Sequence, residues 1–285
     1  MRTRPFAQVD VFSPVPYLGN PLAVILDATD LTDADLQRIA RWTNLSETTF
    51  VLAPTVEYAD YRVRIFTPDG ELPFAGHPTL GTAHAWLENG GTPRCPDVIV
   101  QECADSLVRI HRSSAGELAF EAPETTRSGP VSEANLGRIC TALGIDRAEV
   151  VDHQWVVNGP QWVAVMLSSA SRVLELRPDL SALGELEIGV VGPYPEGSEC
   201  AWELRAFIAG IGEDPVTGSL NASVGQWLLR TDRMAGPYTA SQGTVLGRAG
   251  RVRVTPTAVR ENVLVGGTVT TMVRGSIEAW LTDCR

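Results

Sequence analysis

Glu47 is a candidate acid–base residue because its carboxyl group stands among uncharged neighbours. It lies in Leu45-Ser-Glu-Thr-Thr-Phe-Val51, between the predicted end of a helix and a strand that begins near Thr49. A carboxyl group in apolar surroundings has a raised pKa, which suits proton transfer near neutral pH. In a solvated loop the same group keeps an ordinary pKa, and the sequence leaves both interpretations open.

His77 is a second candidate because it stands at a predicted helix start. Residues 61–66 alternate as in a strand, and apolar residues from position 80 onward recur at helical spacing. Pro78 suits the first position of that helix. Free backbone N–H groups at a helix start bind anions or carboxylates, so Gly76 and His77 are predicted to line a binding site.

Asp214 and Ser219 have the same setting in the second half of the chain. Residues 202–207 have the strand pattern, Glu213-Asp-Pro-Val-Thr-Gly-Ser219 forms the turn, and residues 220–229 have the helix pattern. Gly218 and Ser219 therefore stand at a second helix start. Asp-Pro and Thr-Gly are ordinary turn dipeptides, so the specific signal is the equivalence of the two turns.

A constant offset in residue number relates the two halves and indicates an internal duplication. Identical residue types recur at this one offset: Arg64 and Arg205, Phe66 and Phe207, Trp86 and Trp227, Gln101 and Gln242, and Ala23-Val24 and Ala164-Val165. We therefore expect two similar halves whose helix starts face each other across a cleft. Gly76 and His77 would lie on one wall, and Gly218 and Ser219 on the other.

Composition limits the classes of partner. A net charge of −11 argues against nucleic acid and anionic membranes as partners, although its ordinary role is solubility. No apolar run is long enough to span a bilayer, and no secretory signal is evident, so we predict a cytoplasmic protein. The 44% of hydrophobic residues suffice for a sizeable core.

The cysteines and histidines show no metal-binding spacing. The cysteines are scattered without a C-x-x-C pair, which favours structural thiols in a reducing compartment: Cys95, Cys103, Cys140, Cys200 and Cys284. The histidines lack H-E-x-x-H or H-x-H spacing, and His84 has the position of a core residue. We therefore expect no metal site.

Other segments of the chain carry clear element signals. Thr32 and Ser132 are predicted helix N-caps, with the first helix ending near Thr43-Asn44 and the second at Gly144. Residues 174–186 have a weaker helical pattern that is broken by proline and glycine. Residues 123–130 are polar and rich in turn formers, which is typical of a linker.

Three motifs together resemble the PhzF family of phenazine-biosynthesis-like isomerases. They are Asn44-Leu-Ser-Glu-Thr-Thr-Phe50, Phe66-Thr-Pro-Asp-Gly-Glu-Leu-Pro-Phe-Ala-Gly-His-Pro-Thr79 and Gly212-Glu-Asp-Pro-Val-Thr-Gly-Ser219. Gln8-Val-Asp-Val-Phe12 and Gly19-Asn-Pro-Leu-Ala-Val24 match the family too. The resemblance covers nearly the whole chain.

The resemblance implies a diaminopimelate epimerase-like fold of the α+β class. Two pseudo-symmetric halves, each a curled β-sheet around a central helix, would agree with the repeat. We predict an N-terminal half at residues 1–125, with Glu47 and His77, and a C-terminal half at residues 126–285, with Asp214 and Ser219. The last strand of such proteins tends to cross back to the first half.

The resemblance also implies an activity. The namesake of the family isomerises dihydro-hydroxyanthranilate by moving a proton along an allylic system, without a cofactor. Its proton-shuttling carboxylate corresponds to Glu47, its polar partners to His77, Asp214 and Ser219, and its turn glycine to Gly76. We therefore predict a cofactor-free isomerase of a small carboxylic acid, and the family resemblance implies a homodimer.

Two departures bear on the mechanism and the substrate. Related epimerases use two cysteines as acid and base, at the equivalents of Ala75 and Pro215, and neither residue can move a proton. Two-base cysteine chemistry is therefore not expected. Family members commonly have a small residue after the serine, whereas this chain has Leu220, whose bulk is predicted to narrow the cleft and alter the substrate.

Two alternative functions use the same residues. Ser219, His77 and Asp214 are the residue types of a serine hydrolase triad, but Thr217-Gly-Ser-Leu-Asn221 is not a nucleophile elbow and Glu47 would have no role. A non-catalytic protein that binds a small acid is the other alternative. The intact set of four polar residues argues against it.

Overall fold

The chain divides into two compact units. The computed structural model describes residues 2–104, 106–208, 212–259 and 261–279, so Cys284 lies outside the described residues. One unit comprises Met1–Glu121 with Gly266–Arg285, and the other comprises Ala122–Val265. The predicted boundary after residue 125 falls inside the second unit.

The first unit begins with strands and helices in the following order: β1 (Arg2–Val11), β2 (Asn20–Ile25), α1 (Asp33–Thr43), β3 (Thr48–Leu52), β4 (Tyr61–Phe66), β5 (Glu71–Leu72), α2 (Gly76–Glu88), β6 (Val98–Glu102), β7 (Leu107–Arg112) and β8 (Leu118–Glu121). Neighbouring strands run β8-β7-β6-β4-β3-β2-β1, and β5 pairs with β4. The β2–β3 and β4–β6 pairs are parallel and the others are antiparallel.

The second unit contains β9 (Arg127–Gly129), α3 (Glu133–Leu143), β10 (Asp152–Val157), β11 (Trp162–Met166), α4 (Ala170–Glu175), β12 (Glu187–Pro193), β13 (Trp202–Ile208), β14 (Gly212–Asp214), α5 (Gly218–Arg230), β15 (Tyr238–Gln242) and β16 (Gly250–Pro256). Strand β17 (Val263–Gly267) begins in the second unit and ends in the first, since the boundary follows Val265. Neighbouring strands run β9-β10-β11-β12-β13-β15-β16, and β14 pairs with β13. The chain then returns to the first unit as β18 (Val269–Ala279), antiparallel to β1.

Helices α2 and α5 are the central helices of the two units. Most of their residues are buried, as expected for helices at the centre of a unit. Gly81 of α2 packs so closely on β1 and β2 that an added Cβ would lie 2.6 Å from Leu22 and 2.9 Å from Val9. The absence of a side chain at Gly81 therefore lets β1 and β2 approach α2 closely.

The two units repeat the same strand–turn–helix arrangement. Arg64 of β4 makes a two-pronged ion pair with Glu71 of β5, and Arg205 of β13 makes the same pair with Glu213 of β14. The predicted duplication of these segments is confirmed. The expectation that all equivalent residues are separated by the same number of positions is wrong. The arginines keep the predicted offset, whereas the glutamates and the starts of α2 and α5 lie one position further apart, because the second turn holds one more residue.

Several element predictions needed correction. Helix α2 starts at Gly76 rather than Pro78, because Pro78 also fits the first turn, where no intrahelical bond needs its missing N–H. The predicted helix at residues 174–186 is instead α4 followed by a short 3₁₀ turn, Leu180–Ala182, since proline and glycine interrupt it. The predicted linker contains β9, which pairs with β10.

The predicted N-caps are confirmed. The hydroxyl groups of Thr32 and Ser132 accept hydrogen bonds from backbone N–H groups in the first turns of α1 and α3. Asn44 and Gly144 end these helices in the left-handed conformation. Across the described residues, no helix is both long and apolar enough to cross a membrane.

Candidate active site

Glu47 and His77 come together in the first unit. Glu47 directly precedes β3, and His77 is the second residue of α2. Oε2 of Glu47 lies 3.4 Å from Nε2 of His77, and the two side chains are 16% and 5% exposed. The sequence predicted both residues as site residues, and the fold brings their functional groups side by side.

His77 is neutral in this setting. Burial lowers the pKa of His77 from 6.5 to about 3, so the imidazole carries no charge at neutral pH. The contact with Glu47 is consequently not an ion pair, and 3.4 Å is longer than an ordinary N–H···O hydrogen bond. The carboxyl group is therefore not neutralised by a cationic histidine.

The contact with Asn20 bears on which ring nitrogen of His77 carries the proton. Asn20 is fully buried at the start of β2, and its Nδ2 lies 3.4 Å from Nδ1 of His77. An amide N–H that donates to Nδ1 leaves the ring proton on Nε2. Nε2 is the ring nitrogen that lies beside Glu47. The sequence singled out Asn20 only as part of a family motif, without a role.

Ser219 has the corresponding position in the second unit, as the second residue of α5. Its Oγ accepts a hydrogen bond of 3.1 Å from Nε1 of Trp162, the first residue of β11. The indole N–H is a donor only, so the serine hydroxyl keeps its own proton for another acceptor. Sequence analysis did not identify Trp162, because a buried aromatic residue on a strand has the pattern of a core residue.

The turn that carries Asp214 is held by a buried glutamine. The Thr217 hydroxyl donates to Asp214, and Nε2 of Gln242 donates to the Asp214 carbonyl at 3.1 Å. Oε1 of Gln242 accepts from the Thr217 N–H at 3.0 Å and from Asn221 at 2.9 Å. In the first unit, Gln101 likewise donates to Thr79 of α2 at 3.0 Å. The repeat predicted this glutamine pair but not its structural role.

Both central helices leave their first turns without a side-chain cap. Ala75 and Thr217 are the N-cap residues of α2 and α5, and neither makes a side-chain cap hydrogen bond within the described chain. The N–H groups after Gly76 and Gly218 are therefore suited to an anion, and the anion site there stays a prediction. By position in the fold, Thr217 rather than Pro215 corresponds to Ala75, since these two are the N-cap residues of α5 and α2.

Leu220 packs into the core of the second unit. The side chain is fully buried, and its methyl groups occupy the space that a Cβ on Gly189 of β12 would need. Its bulk is thus matched by a glycine on the neighbouring strand. The prediction that Leu220 contacts substrate and narrows the site is not supported by this packing.

No metal site emerges from these groups. In residues 2–104, 106–208, 212–259 and 261–279, no three His, Cys, Asp or Glu side chains cluster so as to hold an ion. His84 is partly buried and its Nε2 lies 3.0 Å from the hydroxyl of Thr271 in β18. That contact has a structural role within the first unit.

Comparison with known proteins places the chain in a family. The profile of the PhzC-PhzF family, described as phenazine biosynthesis-like protein, matches residues 9–275. The chain belongs to the PhzF family. It is an isomerase of that family, and its fold is the mixed α+β fold of diaminopimelate epimerase-like proteins.

Relatives of this PhzF-family chain are similar over most of their length. Antisense-enhancing sequence 1 of Schizosaccharomyces pombe is 35% identical over 96% of the chain and 99% of the relative. Trans-2,3-dihydro-3-hydroxyanthranilate isomerase of Pseudomonas fluorescens is 35% identical over 84% of the chain and 86% of the relative. A PhzF-family crystal structure from Bacillus anthracis superposes with a TM-score of 0.82 at 24% identity, covering 98% and 100% of the two chains.

Proposed function

We propose that the protein moves a proton between two carbons of a small unsaturated carboxylic acid, with Glu47 as the general acid and base and without a cofactor. The substrate would resemble trans-2,3-dihydro-3-hydroxyanthranilate, the compound in the names of several relatives. The observation that supports this most is the Glu47 carboxyl group beside a buried, neutral His77.

The proposed reaction conserves atoms and electrons. The Glu47 carboxylate takes a proton from one carbon, and the electron pair of the broken C–H bond moves into the conjugated system of the substrate. Glu47 then returns the proton to another carbon of that system. A base whose pKa lies near the working pH does this best, and positioned acid–base groups typically contribute ~10²–10⁴-fold.

The other site residues bind the polar groups of the same substrate in this proposal. His77 donates from Nε2, and the Ser219 hydroxyl, which accepts from Trp162, donates its own proton to a substrate oxygen. The uncapped N–H groups after Gly76 and Gly218 bind a carboxylate, and Asp214 accepts from a donor group.

Solvent isotope exchange tests this proposal. Wild-type protein incubated in heavy water with trans-2,3-dihydro-3-hydroxyanthranilate should give a product with deuterium at the newly protonated carbon, detected by NMR. Binding without exchange or turnover would favour the non-catalytic alternative. The absence of binding as well as of exchange and turnover would refute this substrate class.

The serine hydrolase alternative is disfavoured because, among the described residues, the Ser219 hydroxyl accepts a hydrogen bond from Trp162 but donates none to a base. A nucleophilic serine donates its proton to a base, whereas the Trp162 indole N–H is a donor that cannot accept a proton. A serine-directed phosphonate should therefore leave Ser219 unmodified. Stoichiometric labelling of Ser219 would favour the serine hydrolase over the isomerase.

A further inference from the structure

Glu187 occupies, in the second unit, the position that Glu47 occupies in the first. Thr48, directly after Glu47, pairs with Phe66 in the antiparallel β3–β4 ladder. Ile188, directly after Glu187, pairs with Phe207 in the antiparallel β12–β13 ladder. Phe66 and Phe207 are equivalent, since each also pairs with the glutamate that binds the arginine two residues earlier.

The parallel ladders give the same correspondence. Thr48 pairs with Ala23 of β2, and Ile188 pairs with Val163 of β11. The two pairs have the same separation in sequence. Glu47 and Glu187 lie one position closer together than the uniform offset of the repeat requires, which concealed their equivalence in the sequence.

Glu187 lies on the face of its sheet that is directed at the central helix α5. Gly189, two residues further along β12, packs against Leu220 of α5. Trp162, which pairs directly with Glu187, donates a hydrogen bond to Ser219 of α5. Directly paired residues and residues two apart share a sheet face, so Glu187 faces the start of α5 as Glu47 faces His77.

The carboxyl group of Glu187 is not fully satisfied. Its side chain is partly buried, and its Oε2 is a buried atom without a hydrogen-bond partner among the described residues. Burial raises the pKa of Glu187, and a hydrogen bond from the Gln161 backbone N–H lowers it in part. The residues that face it from β11, β13 and α5 are Trp162, Ile208 and Ser219, and none of them is ionisable over this range.

We propose that Glu187 is a second substrate-binding carboxyl group of the active site, which acts in its protonated form as a hydrogen-bond donor. This inference rests on the proposed function. As Glu47 removes the proton from carbon, negative charge develops on an oxygen of the conjugated acid, and the Glu187 O–H donates a hydrogen bond to that oxygen. Glu187 keeps its proton throughout, so the balance of the reaction is unchanged.

The glutamine and alanine variants at this position distinguish a donor from a base. Glu187→Gln keeps a neutral donor and should retain kcat/KM for trans-2,3-dihydro-3-hydroxyanthranilate within about threefold at low pH. Glu187→Ala removes the donor and should lose roughly 10- to 100-fold. Wild-type kcat/KM should fall as pH rises through the raised pKa of Glu187, and Glu187→Gln should lack that fall. The exposed neighbour Glu185→Ala is the matched control and should match wild type.

The possible failures can be told apart. Wild-type activity in Glu187→Ala, combined with a large loss in Glu47→Gln, would overturn the role of Glu187 alone. If wild type is inactive on this substrate, the proposed function fails. A ligand-free measurement then decides: ¹³C NMR of protein labelled at glutamate side chains, with Glu187 assigned by its absence in Glu187→Gln. A titration midpoint at the ordinary glutamate value would contradict the inference, and a raised midpoint would support it.

Discussion

At the scale of single residues, each unit places a functional side chain at the start of its central helix within hydrogen-bond distance of one buried residue. Asn20 faces Nδ1 of His77, and Trp162 donates to Oγ of Ser219. A neutral imidazole and a serine that is free to donate are thus consequences of packing. Glu47 and Glu187 have equivalent positions at the starts of β3 and β12.

Neutral His77 should make the protein sensitive to acid. The folded pKa of about 3 lies below the ordinary 6.5, so the unfolded chain binds a proton first as pH falls. The contribution is fully present above pH 6.5 and is lost progressively toward pH 3, at about 1.4 kcal/mol per pH unit. Urea unfolding of His77→Gln across this window should show a shallower loss than wild type. His111→Gln, at a half-exposed position, is the control. A loss of stability in His77→Gln as steep as that of wild type would contradict a neutral buried histidine.

Trp162→Phe should impair turnover more than folding. The phenyl ring retains most of the buried surface, but the donor to Ser219 is lost and the hydroxyl can then adopt other orientations. We expect roughly a 3- to 20-fold lower kcat/KM, consistent with one hydrogen bond. In a Ser219→Ala background the same change should have no further effect on kcat/KM. An equal loss in both backgrounds would show that Trp162 acts only through packing.

At the scale of elements, sequence signals located most strands and helices but not their exact pairing. The caps at Thr32 and Ser132 were predictable because they depend on local hydrogen bonds. The roles of Trp162 and Gln242 were not, because they depend on tertiary packing that no local pattern encodes. The counterpart of Glu47 was hidden for a related reason: turn lengths differ between the units, so the offset changes from one equivalent pair to the next, and only strand register reveals the match.

The contact between β12 and α5 predicts a compensating pair of substitutions. Gly189→Ala places a methyl group where the Leu220 side chain lies and should destabilise the fold by about 1–3 kcal/mol. Adding Leu220→Ala to Gly189→Ala should recover part of that loss, whereas Leu220→Ala alone leaves a cavity and costs about 2–5 kcal/mol. Urea unfolding of the four proteins measures this coupling. Strictly additive effects would show that the two side chains do not compete for one space.

At the scale of the whole molecule, the duplication gives each unit its own set of paired strands and a central helix, while β18 pairs with β1 of the first unit. The fold class followed from the repeat together with the family resemblance. The end of the first segment at residue 121 could not be predicted in this way. Strand β9 pairs with β10 of the second unit, although it lies in a segment that has linker composition.

The predicted homodimer is testable on the intact chain. Light scattering coupled to size-exclusion chromatography should give twice the chain mass of 30.7 kDa. The mass should persist on dilution if the interface is an obligate one. A mass of one chain at micromolar concentration would contradict the prediction, without bearing on the proton-transfer chemistry.

The exchange activity of Glu47→Gln is the most direct test of the proposed mechanism. Glutamine keeps the shape and hydrogen-bonding capacity of the side chain but cannot accept the proton. In heavy water with trans-2,3-dihydro-3-hydroxyanthranilate, we predict that Glu47→Gln folds and binds like wild type and loses at least about a hundredfold in deuterium incorporation and turnover. Wild-type exchange in this variant would contradict Glu47 as the proton carrier.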